Sequence, residues 1–214
     1  MSDDLLAEQV AFYRAVAPEY HEHGVPGGDG GELARALDEF APRGDVLELA
    51  CGPATWTPQL LCHADAVTCV DAAPEMLDIA RRKVGGDERV RFVQADVFAY
   101  APDRRHDVVF FGFWLSHVPL ERFAGFWELV ARCLKPGGRV FFADDGYRTP
   151  DELIEGEAST TIQRRLNDGS AHRIVKVPHT PASLQERLEA LGWAITVHPT
   201  SGPFFWGAGR YGRD

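Results

Sequence analysis

Three strand-like segments of this sequence end in residues suited to holding a nucleoside. Glu48-Leu49-Ala50-Cys51-Gly52-Pro53-Ala54 closes an apolar run with small residues, which let a turning backbone press against a ligand. Asp71 closes the next run, and a carboxylate there can accept both hydroxyls of a ribose. Asp96 follows a third run. Its carboxylate can accept an adenine amino hydrogen while the N–H of Val97 serves a ring nitrogen. Met76, soon after Asp71, can pack on an adenine face. Either aspartate alone would equally suit a helix or turn cap. Their order on successive strand ends carries the reading.

A second group offers acid–base chemistry. His117 follows a fourth apolar run, and an imidazole titrates near neutrality, so it can act as a general base or orient an acceptor. Capping the helix that begins near Pro119 is the structural alternative. Asp144 and Asp145 follow a fifth run; one of them can bind a cationic substrate, hydrogen-bond His117 or cap a loop. His172 and Arg173 could form a pocket wall or lie on the surface. Phe111, Phe113 and Trp114 suit a pocket mouth, whereas Trp56 and the run Phe204-Phe205-Trp206 suit packing. His21 and His23, among acids, read as solvated loop residues. Cys62-His63 with Cys69 matches no common zinc module, so the four cysteines read as structural thiols and no metal is expected.

These residues need a scaffold that brings strand ends together. Val46–Ala50, Ala66–Asp71, Val90–Gln94, Asp107–Phe111 and Arg139–Ala143 read as buried strands. Between them Leu77, Ala80 and Val84, then Leu120, Phe123, Trp127, Val130 and Leu134, recur at helical spacing. Strands alternating with amphipathic helices imply a parallel sheet covered on both faces, with ligands beyond the carboxyl ends of the strands. Residues 146–180 are polar and mixed, with a helix expected around Ile162 and a strand over His172–Val177. Thr180 and Pro181 start a helix that Gly192 ends. Trp193–His198 and Phe204–Tyr211, joined by a short connection, imply one antiparallel strand near an edge.

Composition narrows the function classes. The chain has 214 residues, 45% hydrophobic and 25% charged, which suits one globular domain. A net charge of −10 argues against nucleic-acid binding. The first thirty residues carry six acids against Arg14, a net of −5. No membrane span or secretory leader is read, so a cytoplasmic protein is expected. NAD chemistry would need G-x-G-x-x-G around a pyrophosphate. This loop has only Gly52, and Pro53 removes an N–H donor.

VLELACGPATWT, VTCVDAAPEMLDIAR, VRFVQADVF, HDVVFFGFWLSHV and LKPGGRVFF together resemble the class I S-adenosylmethionine-dependent methyltransferases. Motifs cover roughly residues 10–145, and topology covers the rest. Ala50 and Ala54 stand where the family's first motif usually has glycine. The resemblance implies an α/β, Rossmann-like three-layer sandwich: a seven-stranded, mostly parallel sheet with one antiparallel strand near the edge. It implies S-adenosylmethionine as cofactor and S-adenosylhomocysteine as product. Glu48, Ala50 and Gly52 would lie by its methionine part, Asp71 and Ala72 by the ribose, and Met76, Asp96 and Val97 by the adenine. Phe113 would lie beside the sulfonium. FYRAVAPEYHEHG resembles the family's lid, with Tyr20 over the cofactor. Tyr13 would face substrate or pack, with Trp114 and Asp145 as further substrate contacts.

The function so implied is methyl transfer to O, N or C of a small organic molecule, by a monomer or homodimer without nucleic-acid or membrane partners. A non-catalytic cofactor-binding protein, an aminopropyl transferase and an NAD-dependent oxidoreductase are the alternatives. The lid is expected over residues 1–30 and a cap over 146–180, both within one domain spanning 1–214. The acidic lid would attract the sulfonium or a cationic acceptor.

Overall fold

Alternation with period two sends successive residues of each central strand to opposite faces of one sheet. The computed structural model describes residues 3–22 and 30–212, so His23, Gly27 and Gly28 lie outside the described residues. Helix α1 spans Asp3–Ala15, a 3-10 stretch follows over Ala17–Glu22, and α2 covers Gly30–Phe40. Next come β1 (Gly44–Leu49), α3 (Thr57–Leu60), β2 (Ala64–Asp71), α4 (Pro74–Val84) and β3 (Val90–Gln94). Then follow β4 (His106–Gly112), α5 (Phe123–Cys133), β5 (Leu134–Asp145), β6 (Thr161–Arg165) and β7 (Ala171–Val175). The described chain closes with α6 (Pro181–Ala190), β8 (Trp193–Pro199) and β9 (Phe204–Tyr211).

The main sheet has seven strands in the order β3-β2-β1-β4-β5-β9-β8. β9 runs antiparallel to both β5 and β8, while the pairings from β3 to β5 are parallel. This is the three-layer α/β sandwich expected from the sequence. Leu47, Leu49, Val109, Phe111 and Phe142 pack on one face with Trp127 of α5 and Leu188 of α6. Their neighbours Val46, Val108, Phe110 and Phe141 pack on the other face with Leu33 and Leu37 of α2 and Leu77 of α4. Strands buried on both faces read as continuous apolar runs, which is why the alternation is hidden in the sequence.

Helix ends follow local chemistry. Thr180 Oγ1 accepts from the Ser183 N–H at 3.2 Å at the start of α6, and Pro181 is its first residue. Gly192, at φ +84°, turns the chain into β8. β9 carries glycine at 209 because a Cβ there would run into the Ala194 carbonyl of β8.

The stretch expected as a helix around Ile162 is a strand. β6 and β7 form an antiparallel hairpin that sets Ile162 opposite Ile174 and Arg164 opposite His172. Ile162 and Ile174 are both fully buried, packed with Phe12 and Val16 from the N-terminal segment. A short polar stretch has little helical preference of its own, and this packing favours the pleated form.

α1 is tied across the hairpin and α4. Asp3 pairs with Arg122 at 2.6 Å, Glu8 with Arg173 at 2.8 Å, and Arg14 with Glu75 at 2.9 Å. Glu22 accepts from Asn167 Nδ2 at 2.9 Å. Acids of the N-terminal segment thus serve docking. Such exposed pairs are worth at most about 1 kcal/mol each, so they orient α1 more than they stabilise it.

Candidate active site

A cavity of about 510 Å³ lies beyond the carboxyl ends of β1 to β4, a volume ordinary for a small-molecule site. It sits where the strand order reverses between β1 and β4, the place an open parallel sheet offers a ligand. α1 and the Ala17–Glu22 stretch roof it, and the β6–β7 hairpin supplies Arg164 and Lys176 to its wall.

The loop after β1 is left-handed at alternate residues: Ala50 has φ +50°, Gly52 +52° and Ala54 +56°. Phe113, after β4, has φ +56°. A left-handed backbone costs a residue with a Cβ about 1–2 kcal/mol, and such strain collects at ligand sites. Ala50, Gly52 and Phe113 all border the cavity. Asp71 ties these parts together. Its Oδ2 accepts from the Gly52 N–H and its Oδ1 from the Ala73 N–H, both at 2.8 Å. Burial pushes its carboxyl above the usual range, against those two donors.

Glu48 also borders the cavity, 1% exposed. Its Oε2 accepts from Thr57 Oγ1 at 2.6 Å and from Cys69 Sγ at 3.4 Å. Burial raises its pKa to about 7. Ala72, Met76, Asp96 and Val97 line the same end, with Tyr20 above them. Asp96 additionally caps the turn that follows, its Oδ1 accepting from the Phe98 N–H at 2.9 Å. The structure shows the cap, made through Oδ1, at a residue that also borders the cavity.

Tyr13, Trp114, His117 and Asp145 border the cavity as well. His117 is 3% exposed, and its Nδ1 lies 2.6 Å from the Val175 carbonyl. A carbonyl only accepts, so Nδ1 carries the proton. Burial, then the charges of Lys176 and Arg164, hold the ring well below the ordinary histidine range, hence neutral. Nε2 is thus a lone pair, and the Tyr13 hydroxyl donates to it at 2.8 Å. Gln9 locks the arrangement: its Nε2 donates to the His117 carbonyl at 3.3 Å and its Oε1 accepts from the Val175 N–H at 3.0 Å.

Below them lies a buried ionic group. Lys176, 2% exposed, sits 2.9 Å from Asp145 Oδ1 and donates to Ser116 Oγ at 3.1 Å. Asp144, with its carboxyl raised by burial, faces away from the cavity. It accepts from the Ser116 N–H and hydroxyl at 2.8 Å each and from the Asp145 N–H at 2.7 Å. Asp144 does not touch His117; it holds the loop that carries it.

Arg164 and Lys176 escaped the sequence reading, which looked instead to His172 and Arg173. Arg173 is exposed and held by Glu8, and His172 packs against Phe12. The available signal was the hairpin alternation, which places Arg164 with Ile162 and Lys176 with Ile174. Trp56 and Phe204 were expected to pack away from the ligand, yet both border the cavity, whereas Phe111, expected at its mouth, points into the core against Phe126, Trp127 and Phe142 because strand alternation sends it to the other face. Trp56 lies over Gly112, where a Cβ would sit 2.7 Å from the indole nitrogen, so the missing side chain makes room for the ring.

The comparisons agree with this geometry. Residues 46–138 match the family model for a methyltransferase domain. The chain is 37% identical over 167 residues to a demethylmenaquinone methyltransferase of Clavibacter sepedonicus, covering 72% of this chain and 66% of that protein. It is 30% identical to a trans-aconitate 2-methyltransferase of Streptomyces avermitilis, covering 79% and 64%. The chain thus spans under two thirds of those relatives' lengths. A solved DhpI–SAH complex superposes with TM-score 0.87 at 41% identity, with both chains fully covered.

The chain belongs to the class I S-adenosylmethionine-dependent methyltransferases.

The cofactor of these methyltransferases is S-adenosylmethionine, and the residues present fit it. Gly52 has nothing within 4 Å of an ideal Cβ, so the loop leaves an open cradle. Asp71, Asp96 and Tyr20 border the same cavity and could offer acceptors and an aromatic cover to the group. Ala50 and Ala54, where glycine was expected, take left-handed backbone at φ +50° and +56°. No helix of the described residues is long and apolar enough to cross a membrane.

Proposed function

We propose that this methyltransferase transfers a methyl group from S-adenosylmethionine to a small organic molecule held between α1, the loop after β4 and the β6–β7 hairpin. One observation carries the reading: a single cavity runs from Asp71 and Asp96 to Tyr13 and His117. When bound, the cofactor supplies an electrophilic methyl group on a sulfonium.

The chain's own residues do the rest. Asp71 takes the ribose hydroxyls, with Ala72 beside it. Asp96 and the Val97 N–H address the adenine edge, and Met76 its face. Glu48, Ala50 and Gly52 adjoin the methionine part, Phe113 flanks the reacting end, and Tyr20 covers the cofactor. Tyr13, Trp114 and Asp145 contact the acceptor, and His117 orients it through Tyr13. Residues 1–30 serve as lid and 146–180 as cap of one domain. Holding both reactants in line supplies much of the rate in such a displacement.

The acceptor is a small molecule in this reading, with O, N or C as receiving atom. The protein works in the cytoplasm as a monomer or homodimer, without nucleic-acid or membrane partners. Its acidic charge supports the first exclusion.

Calorimetry with S-adenosylmethionine, followed by detection of S-adenosylhomocysteine release over an acceptor panel, tests the reading. Micromolar binding with turnover is expected. Binding with no turnover on any acceptor would mean a cofactor-binding protein, and no binding would overturn the proposal.

A further inference from the structure

Arg164 is the charged group of the acceptor end whose hydrogen-bonding capacity the protein leaves open among the described residues. Its Nε donates to Glu152 Oε1 at 2.9 Å, while Glu152 Oε2 takes the Thr149 N–H at 2.9 Å. Glu152 therefore steers the guanidinium from behind, and it does not border the cavity. The side chain of Arg164 is only 20% exposed, and it borders the cavity. Its two terminal nitrogens have no hydrogen-bond partner among the described residues. The Trp114 indole N–H is also without a partner, but it is a single neutral donor. The other cationic and hydroxyl groups at this end are committed. Lys176 is held by Asp145 and Ser116, and the Tyr13 hydroxyl by His117.

A guanidinium fixed at Nε and open at both terminal nitrogens presents parallel N–H donors in a rigid plane. Two oxygens of a carboxylate or of a phosphorus oxyanion match that fork. The nearby acid–base groups are engaged: Tyr13 donates its proton to His117 Nε2, the other imidazole nitrogen is blocked by the Val175 carbonyl, and the Asp145 carboxylate is paired with Lys176. An acceptor that must lose a proton would find no base in the Tyr13–His117 pair. One that arrives ionised needs none.

We propose that Arg164 anchors the acceptor through an oxyanion, carboxylate or phosphorus-based, and that the acceptor enters the site already ionised. The inference rests on the methyltransferase reading and names the acceptor class for it. In the transfer, an oxyanion lone pair forms the new O–C bond, and the methyl's bond to sulfur breaks with its electron pair staying on sulfur. Anion and sulfonium become a neutral methyl ester and a thioether, and no proton is released.

The test is calorimetry on the intact protein saturated with S-adenosylhomocysteine, titrated separately with succinate, inorganic phosphate, succinamide and putrescine. Succinate or phosphate should bind, the neutral and cationic analogues should not, and the preference between the two anions identifies the oxyanion. Affinity should fall as pH drops below the bound acid's own pKa. Arg164→Gln should weaken the anion by roughly 10- to 100-fold, the range of a lost charge-assisted hydrogen bond, with S-adenosylhomocysteine affinity unchanged. Absence of anion binding, equal binding of succinamide or putrescine, or undiminished anion affinity in a folded Arg164→Gln would overturn the inference. The wild-type comparison of succinate with succinamide decides the matter even if the variant fails to fold. Failure of S-adenosylhomocysteine itself to bind would instead sink the cofactor reading.

Discussion

The Tyr13 hydroxyl donates to His117 Nε2 across 2.8 Å, joining α1 to the loop after β4. The histidine that sequence nominates as a base is thereby filled on both nitrogens, by a carbonyl on one side and a phenol on the other. This arrangement supports a role in fixing Tyr13 beside the cavity over one in taking a proton. Tyr13→Phe should lower kcat while leaving S-adenosylhomocysteine affinity unchanged, and should cost about 1–3 kcal/mol of stability because Nε2 is left unsatisfied. The pH profile of kcat should show no limb near the ordinary histidine pKa of about 6.5. A limb there that disappears in His117→Asn would restore the proton-taking role.

Asp71 holds the loop after β1 through the Gly52 N–H as well as bordering the cavity, where the proposed reading puts the ribose. Asp71→Ala should weaken S-adenosylmethionine by roughly 10- to 100-fold, the loss of charge-assisted hydrogen bonds. Asp71→Asn should recover part of it, since an amide oxygen still accepts one N–H. Calorimetry on both variants, with melting curves to show folding, measures the difference. Unchanged affinity in Asp71→Ala would remove the ribose from this position.

Gln9 is 3% exposed and bridges α1 to both the His117 carbonyl and the Val175 N–H. Gln9→Ala should leave two buried backbone groups unpaired, at about 1–3 kcal/mol each. The rest of the sheet does not depend on this bridge. The expected result is faster proteolytic cleavage within α1 and weaker cofactor binding, with the cleavage sites of the sheet still protected. Uniform sensitisation of the whole chain would show that α1 folds together with the sheet.

Glu48 is a carboxyl whose folded pKa is raised to about 7, by burial. The folded protein therefore binds this proton more tightly than the unfolded chain. Its stabilising effect is full below the unfolded value, near 4.5, and is lost as pH rises through 7. Glu48→Gln should raise stability at pH 8 by about 1–3 kcal/mol, and by less at pH 5, if Thr57 keeps its acceptor. Denaturant titrations at the two pH values measure it. Equal effects at both would mean that Glu48 does not titrate in this range.

Gly209 of β9 faces the Ala194 carbonyl so closely that a side chain cannot be accommodated without moving backbone. Gly209→Ala should destabilise by about 3 kcal/mol or more, read from the denaturation midpoint, because the obstacle is backbone and not a flexible side-chain end.

By itself the sequence determined the sheet, its helices and the strand ends that border the cavity. Buried strands read as short continuous apolar runs and amphipathic helices carry a period of 3.6 within single segments, and Asp71 and Asp96 sit at the ends of those segments. Such signals survive because each is local. The stretch 146–180 carries no strong period, so Ile162 and Arg164 took their strand, and their inward direction, from packing beneath α1. The state of His117 was equally out of reach. Its charge and its protonated nitrogen depend on Tyr13, Val175, Lys176 and Arg164, residues that only folding brings to one place. Tertiary structure decided the acceptor end for a physical reason: desolvation and hydrogen-bond direction exist only between partners already assembled.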